Sequence, residues 1–186
     1  AAVAVGIIDA LAESGVADVP DDAVRTGLAR TVWPGRLEAL EHAGLTVFFD
    51  GAHNPDGMSM LAATIDELAP SLPPGRATLV LGVMRDKEVE RMLAALTGCA
   101  VLRDAHCLTT VVPETERALP AADLAERWLA AGGAEAQPVE DADDALDEAL
   151  RSATAADGVL VIAGSLYLVG HLRARLVPGT PTDDDA

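Results

Sequence analysis

Four short segments of this 186-residue chain carry side chains that could do chemistry, and three of them directly follow an apolar run. Asp50-Gly51-Ala52-His53-Asn54-Pro55 follows Leu45 to Phe49. Met84-Arg85-Asp86-Lys87 follows Ala77 to Val83, and Gly164-Ser165 follows Gly158 to Ala163. The fourth, Trp33-Pro34-Gly35-Arg36, precedes them all. A carboxylate at a strand's end ahead of a glycine, as at Asp50, can accept hydrogen bonds from ribose hydroxyls, and it can equally hold a turn. His53 and Asn54 stand where a helix begins, and backbone N–H groups there favour an anion. Asn54 also suits an ordinary N-cap, and His53 could be a turn histidine. Lys87 is the only lysine, and a lone lysine is commonly just solvated. Ser165 could merely cap the helix that follows it. Arg36 could fork onto phosphate oxygens or pair with one of the many acids.

The elements that must position these residues follow from apolar periodicity. Continuous apolar runs at 45–49, 77–83 and 158–163 read as strands, those at 77–83 and 158–163 of the kind buried on both faces. A β-branched strand is expected over 106–112 and a short edge strand over 137–139. Helices are expected over 1–14, with Val3, Ile7, Ile8 and Leu11 on one stripe, then over 21–30 with Asp21 as cap, and over 54–69, 87–96, 120–131, 141–155 and 165–176. Strands alternating with helices of this length mean βαβ units. The expected fold class is therefore α/β, a mostly parallel Rossmann-like sheet with helices on both faces. Residues 1–32 read as a connector and the end of a preceding domain, 33–177 as one domain, and 178–186 as a disordered tail. In such sheets ligands bind beyond the carboxyl ends of the strands, where three of the four polar segments fall.

Taken together, the segments have a family likeness. Trp33-Pro-Gly-Arg36-Leu-Glu38, Asp50-Gly-Ala-His-Asn-Pro55, Gly82-Val-Met-Arg-Asp-Lys87, Pro113 with Arg117-Ala-Leu-Pro120, and Gly164-Ser-Leu-Tyr-Leu168 occur in this order. The chain resembles the C-terminal domain of the folylpolyglutamate and dihydrofolate synthases, within the Mur ligase superfamily, over about residues 1–177. Glu116 departs from the pattern, which has a small residue or proline before the arginine. The resemblance implies that ATP converts a carboxylate of dihydropteroate or of a folate's glutamate tail into an acyl phosphate. The amino group of L-glutamate then attacks it to give an amide, ADP and phosphate. It implies that Arg36 reaches the ATP phosphates and that Asp50 holds the ribose. His53 would stand near the reacting phosphate and the incoming glutamate, and Lys87 and Ser165 would hold the amino acid's carboxylates. It further implies that the P-loop and the Mg²⁺ ligands belong to an N-terminal ATPase domain of the same protein. This chain has no Gly-rich Lys-Ser/Thr loop. A monomer is usual in the resembled family. A peptidoglycan-precursor ligase of the same superfamily, or a non-catalytic module binding a nucleotide or amino acid, remain the other readings.

Composition narrows the classes. Ala1 stands where a Met would open a gene product, in a run that reads as helix interior, so the chain is expected to begin inside a longer protein. We expect no secretory leader, no membrane span and a cytoplasmic setting, because the apolar runs are far shorter than the roughly 20 residues a bilayer needs. Cys99 and Cys107 read as small hydrophobes in a reduced compartment, and the four histidines have no partners at zinc-ligand spacing. The net charge is −17, from 30 acids against 13 bases. That disfavours nucleic acid, whose phosphates need clustered Lys and Arg. An acid-rich, lysine-poor chain fits a high-salt cytoplasm or simply a GC-rich genome. If salt adaptation is the cause, screening of self-repulsion raises the melting temperature in molar KCl above that in dilute buffer. Equal melting in the two would remove the salt explanation.

Overall fold

The computed structural model describes residues 2–31 and 33–177. The expected tail, 178–186, lies outside the described residues. Two compact units divide between Trp33 and Pro34. The first carries α1 (Ala2–Glu13) and α2 (Asp21–Arg30). The α1 helix forms where its periodicity predicts, yet neither helix has a buried residue. Two short helices offer no second layer against which an apolar stripe could be covered. Asp21 does not cap α2. It is the first helical residue, and Pro20 occupies the N-cap without a side-chain bond.

The second unit runs β1 (Glu38–His42), β2 (Leu45–Asp50), α3 (Pro55–Leu68), β3 (Thr78–Leu81), α4 (Val89–Gly98) and α5 (Ala100–Arg103). It continues with β4 (His106–Thr109), α6 (Ala121–Ala130), β5 (Glu135–Pro138), α7 (Ala142–Ala155), β6 (Leu160–Ala163) and α8 (Leu166–Leu176). The strands form one sheet in the order β1-β2-β6-β3-β4-β5. β1 pairs antiparallel with β2, and every other pairing is parallel.

Strict alternation along the strands sorts the core into two layers. Phe48, Leu79, Leu81, Val161 and Ala163 face α3, α4, α5 and α6, where Met58, Ile65, Leu93, Leu102 and Trp128 are buried. Val47, Phe49, Val80, Leu160 and Ile162 face α7 and α8, against Leu146, Ala149, Leu168 and Leu172. The layers follow from chirality. β2 to β3, β3 to β4 and β4 to β5 all step the same way across the sheet, so right-handed crossovers put their helices on one face. The return from β5 to β6 steps the opposite way, which puts α7 on the other face. β6 is thereby inserted between β2 and β3.

Several local features differ from the expectations. β1 was not expected: Glu-Ala-Leu-Glu-His has no β-branched residue, and its pairing with β2 overrides its helical propensity. The hairpin turn, Ala43-Gly44, has φ of 51° and 83°, the left-handed pair that a two-residue hairpin needs, with alanine where Asn or Asp would have signalled it. Lys87 lies in a loop, because α4 begins only at Val89. The one-turn α5 also went unforeseen. The remaining strands and helices lie within two to three residues of the expected bounds.

Candidate functional site

β2, β6 and β3 end side by side. Asp50 is in register with Ala163, and Ala163 with Leu81. From β2 and β3 the chain turns to helices on one face, and from β6 to α8 on the other, so a crevice opens at this switch point. The turn out of β6 requires glycine. Gly164 has φ 111°, and a Cβ there would lie 2.3 Å from the Gly82 carbonyl oxygen of the neighbouring strand's extension. The buried Ser165 follows, and its Oγ accepts from the Tyr167 N–H at 3.2 Å, capping α8. On the β2 side, Asn54 Oδ1 accepts from the Gly57 N–H at 2.7 Å and caps α3, with Pro55 as first helical residue. Two helices of 14 and 11 residues thus present their N-termini to the crevice, a setting that favours an anion.

A cavity of about 150 Å³ lies there. His53 enters it from the end of β2, Met84 and Lys87 from beyond β3, residues 164–167 from the start of α8, and Arg117 from the loop after β4. It is smaller than the roughly 300–1,000 Å³ of drug-sized sites, so it suits a small metabolite. His53 Nδ1 is 2.8 Å from the Gly51 carbonyl oxygen. A carbonyl only accepts, so Nδ1 carries the hydrogen. In the neutral ring Nε2 is then left as an acceptor. Lys87 is half-buried, and among the described residues its ammonium has no hydrogen bond or ion pair. It is a cation placed at a cavity rather than a solvated surface charge.

The structure therefore gathers His53, Lys87 and Ser165. Arg36 and Asp50 stand beside this cavity rather than among its walls. The Asp50 carboxylate is engaged with backbone: Oδ1 accepts from Ala52 N–H at 2.7 Å and Oδ2 from Leu37 N–H at 2.8 Å. The second contact holds Leu37 at φ 42°, a left-handed conformation unusual for a branched residue. Each oxygen keeps a further lone pair for a ligand. The Gly51 N–H donates to the Gly35 carbonyl at 2.7 Å, which brings the Arg36 turn against the Asp50 segment. Arg36 is exposed, and among the described residues it has no hydrogen bond or ion pair.

Sequence reasoning missed two contributors. The first is Glu38, which takes a two-pronged hydrogen bond from Arg173 of α8, both contacts at 2.7 Å, and also accepts from the Gly35 N–H at 2.9 Å. These bonds staple the Arg36 turn to α8, and a sequence separation of 135 leaves no local signal. The second is Arg117, quoted as part of a motif but given no role. Nothing in a loop arginine's neighbours reveals which cavity its side chain will line. Cys99 and Cys107 are free and buried. Burial, with a hydrogen bond to Asp66 second, raises Cys99 to about 11, and burial alone pushes Cys107 higher still; neither is a nucleophile at neutral pH. Among the described residues no group of three His, Cys, Asp or Glu side chains could hold a metal ion, so no metal is assigned to them. None of the described helices is long and apolar enough to cross a membrane.

Comparison with known proteins bears on this geometry. The family "Mur ligase, glutamate ligase domain" matches residues 35–166, which include His53, Lys87, Arg117 and Ser165. The chain belongs to this family. It is 31% identical over 167 residues to the dihydrofolate synthase/folylpolyglutamate synthase of Bacillus subtilis, covering 89% of this chain and 36% of that protein. It is 36% identical over 170 residues to a probable bifunctional folylpolyglutamate synthase/dihydropteroate synthase of Halobacterium salinarum, covering 91% of this chain and 19% of the relative. The solved folylpolyglutamate synthase of Mycobacterium tuberculosis, complexed with ADP and AMPPCP, matches with a TM-score of 0.73 at 33% identity, over 92% of this chain and 38% of that one. This glutamate-ligase domain thus spans about a third or less of the length of these relatives.

The Glu38 staple gives a pH prediction. Arg173's hydrogen bonds, opposed by burial and aided by the Gly35 N–H, hold the Glu38 carboxyl below its ordinary 4.5. A carboxylate lowered in the folded state adds stability above its unfolded value and loses it as pH falls through the folded one. Glu38→Gln should therefore be less stable than the parent at neutral pH, by about 1 kcal/mol given the pair's partial exposure. The gap should shrink below pH 4.5. Thermal melts of both proteins across that range check this; a gap that does not change with pH would discount the ion pair.

Proposed function

We propose that this chain is the amino-acid-gripping domain of an ATP-dependent ligase that joins L-glutamate to dihydropteroate, to folates, or to both. The observation that carries this reading is the meeting of His53, Lys87 and Ser165 in one small cavity at two helix N-termini. The names of the relatives, and the ADP and AMPPCP complex of the Mycobacterium tuberculosis enzyme, support the substrates.

A carboxylate is a poor electrophile, so ATP must first convert it to an acyl phosphate, from which phosphate leaves as the amine attacks. Positioning and charge neutralisation then supply most of the rate. The Lys87 ammonium and the Ser165 hydroxyl would hold glutamate's carboxylates, with the N-terminus of α8 beneath them. His53 Nε2, left as acceptor by the Gly51 contact, would take the proton that the attacking ammonium group must lose. Arg36 would reach the ATP phosphates from its exposed turn, and Asp50 would add a ribose contact to its two backbone bonds.

In this reading residues 33–177 are a lid that closes on an N-terminal P-loop domain of the same protein. Residues 1–32 are the connector on the hinge side. Mg²⁺ arrives with ATP on ligands outside this chain. The protein works as a monomer in the cytoplasm.

The 186-residue chain on its own should form no amide from ATP, L-glutamate and dihydropteroate or folate. Robust turnover by it would misplace the chemistry. In an enzyme joining this chain to its ATPase domain, UDP-muramoyl acceptors should fail where pteroate or folate acceptors work. In that enzyme Asp50→Ala should raise the KM for ATP about tenfold or more, the cost of a lost hydrogen bond to a charged group. Because Asp50 also holds the Leu37 turn, the ribose contact is read separately with 2′,3′-dideoxy-ATP. The parent should discriminate against that nucleotide and the variant should not. Unaltered ATP kinetics in the variant would remove the ribose role.

A further inference from the structure

The turn that carries Arg36 is fixed on several sides, while the Arg36 side chain itself is left free among the described residues. Its neighbours Gly35 and Leu37 have φ of 69° and 42°, both in the left-handed region that favours glycine. Leu37 adopts it at a cost, so the turn needs outside bonds to persist. Three supply them. The Gly35 carbonyl accepts from Gly51 N–H at 2.7 Å, Leu37 N–H donates to Asp50 Oδ2 at 2.8 Å, and Gly35 N–H donates to Glu38 Oε2 at 2.9 Å. The first two partners stand at the end of β2. The third is a carboxylate that also holds Arg173 of α8: Nε donates to Oε2 and Nη2 to Oε1, each at 2.7 Å. The turn lies against α8 as well. Gly35 is buried, and a Cβ there would stand 2.8 Å from Val169 Cγ1.

The Glu38–Arg173 pair differs from the other ion pairs. With side chains 17% and 28% exposed, it is the least exposed arginine–carboxylate pair among the described residues. Desolvating two charges offsets much of their attraction, so a well-packed apolar pair would stabilise the fold about as well. A guanidinium forked onto a carboxylate supplies a fixed geometry instead. The Glu38 backbone is set by β1, where it is in register with Phe49. Burial of Leu168, Val169 and Leu172 sets α8. The ion pair thus joins two independently fixed elements, and the Gly35 N–H is bonded to that join.

We propose that Glu38, locked by Arg173, is a positioning residue that presets the Arg36 turn, so that the free guanidinium is aimed before the nucleotide arrives. This deepens the proposed function and rests on its placing of Arg36 at the ATP phosphates. The gain is entropic. A turn ordered only by the nucleotide would lose affinity to that ordering, whereas a turn ordered in advance leaves only the Arg36 side chain to settle. Arg173 also cancels the Glu38 charge, so the staple sets no unpaired carboxylate beside the incoming phosphates.

The test uses the enzyme joining this chain to its ATPase domain. Glu38→Ala should raise the KM for ATP about tenfold and leave the KM for L-glutamate nearly unchanged, because apolar packing rather than the staple holds α8. Glu38→Ala strands a largely buried guanidinium, so a second variant, Glu38→Met with Arg173→Met, replaces the pair by apolar side chains. It should restore the parent's melting temperature yet keep the raised KM for ATP, a split that a merely structural pair would not give. Arg36→Ala combined with Glu38→Ala should be no worse for ATP than Arg36→Ala alone, since Glu38 acts through Arg36. In the 186-residue chain, NMR order parameters of the Arg36 and Leu37 amides should fall from about 0.85 to below about 0.6 in the double substitution. Parent ATP kinetics in that variant, additive losses in the cycle, or an unchanged order of the turn overturns the inference. If Arg36→Ala raises the KM for ATP and neither Glu38 variant does, the positioning role falls and the proposed function stands. If Arg36→Ala leaves ATP kinetics unaltered, the phosphate role of Arg36 falls and this inference with it.

Discussion

The site depends on the direction in which the chain returns to its sheet. Right-handed crossovers are nearly obligatory between parallel strands. When the path reverses after β5 and inserts β6 between β2 and β3, the crossover helix α7 must lie on the face opposite α3 and α4, and α8 packs on that same face. The chain therefore leaves neighbouring strand ends toward opposite faces. Their shared edge receives the turns after Asp50, Leu81 and Ala163, and with them His53, Lys87 and Ser165. Gly164 makes the arrangement tight: only a residue without Cβ passes the Gly82 carbonyl at that φ.

Charge gives the crevice its chemistry. A molecule with 30 acids and 13 bases repels anionic metabolites over most of its surface. Here the balance is inverted locally: the only lysine, Arg117 and the N-terminus of α8 share one cavity, beside the start of α3. Most other arginines are committed elsewhere. Arg173 is held by Glu38, Arg76 by Glu135 and two carbonyls, Arg127 by Glu90, and Arg175 by Asp143 and Asp147. An anion approaching this domain therefore meets few uncommitted cations, and they cluster where the strands end.

Much of this was legible in the sequence because its signals were local. Asn54-Pro55 announced the start of α3 through N-cap and first-turn chemistry, and the runs at 77–83 and 158–163 announced strands covered on both sides. The polar residues that follow such runs had to fall at the carboxyl edge. What was not legible depended on distant partners. The strand Glu38–His42 exists because β2 offers it an edge, against its own helical propensity. Glu38 became a staple because Arg173 reaches it from the last helix. Asp50 proved to be committed to the Leu37 and Ala52 backbone, an engagement that residue type alone does not reveal.

The sequence by itself determined the alternation of strands and helices, the α/β class and the polar segments delivered to one sheet edge. Periodicity and capping act within a few residues, where the chain's own spacing decides the outcome. Only the tertiary structure decided that β6 lies between β2 and β3, that Arg117 rather than Arg85 turns its side chain into the cavity, and that Arg36 and Asp50 stand beside that cavity rather than within it. Those outcomes depend on contacts between residues tens to more than a hundred positions apart, and nothing in the local spacing of side chains encodes them.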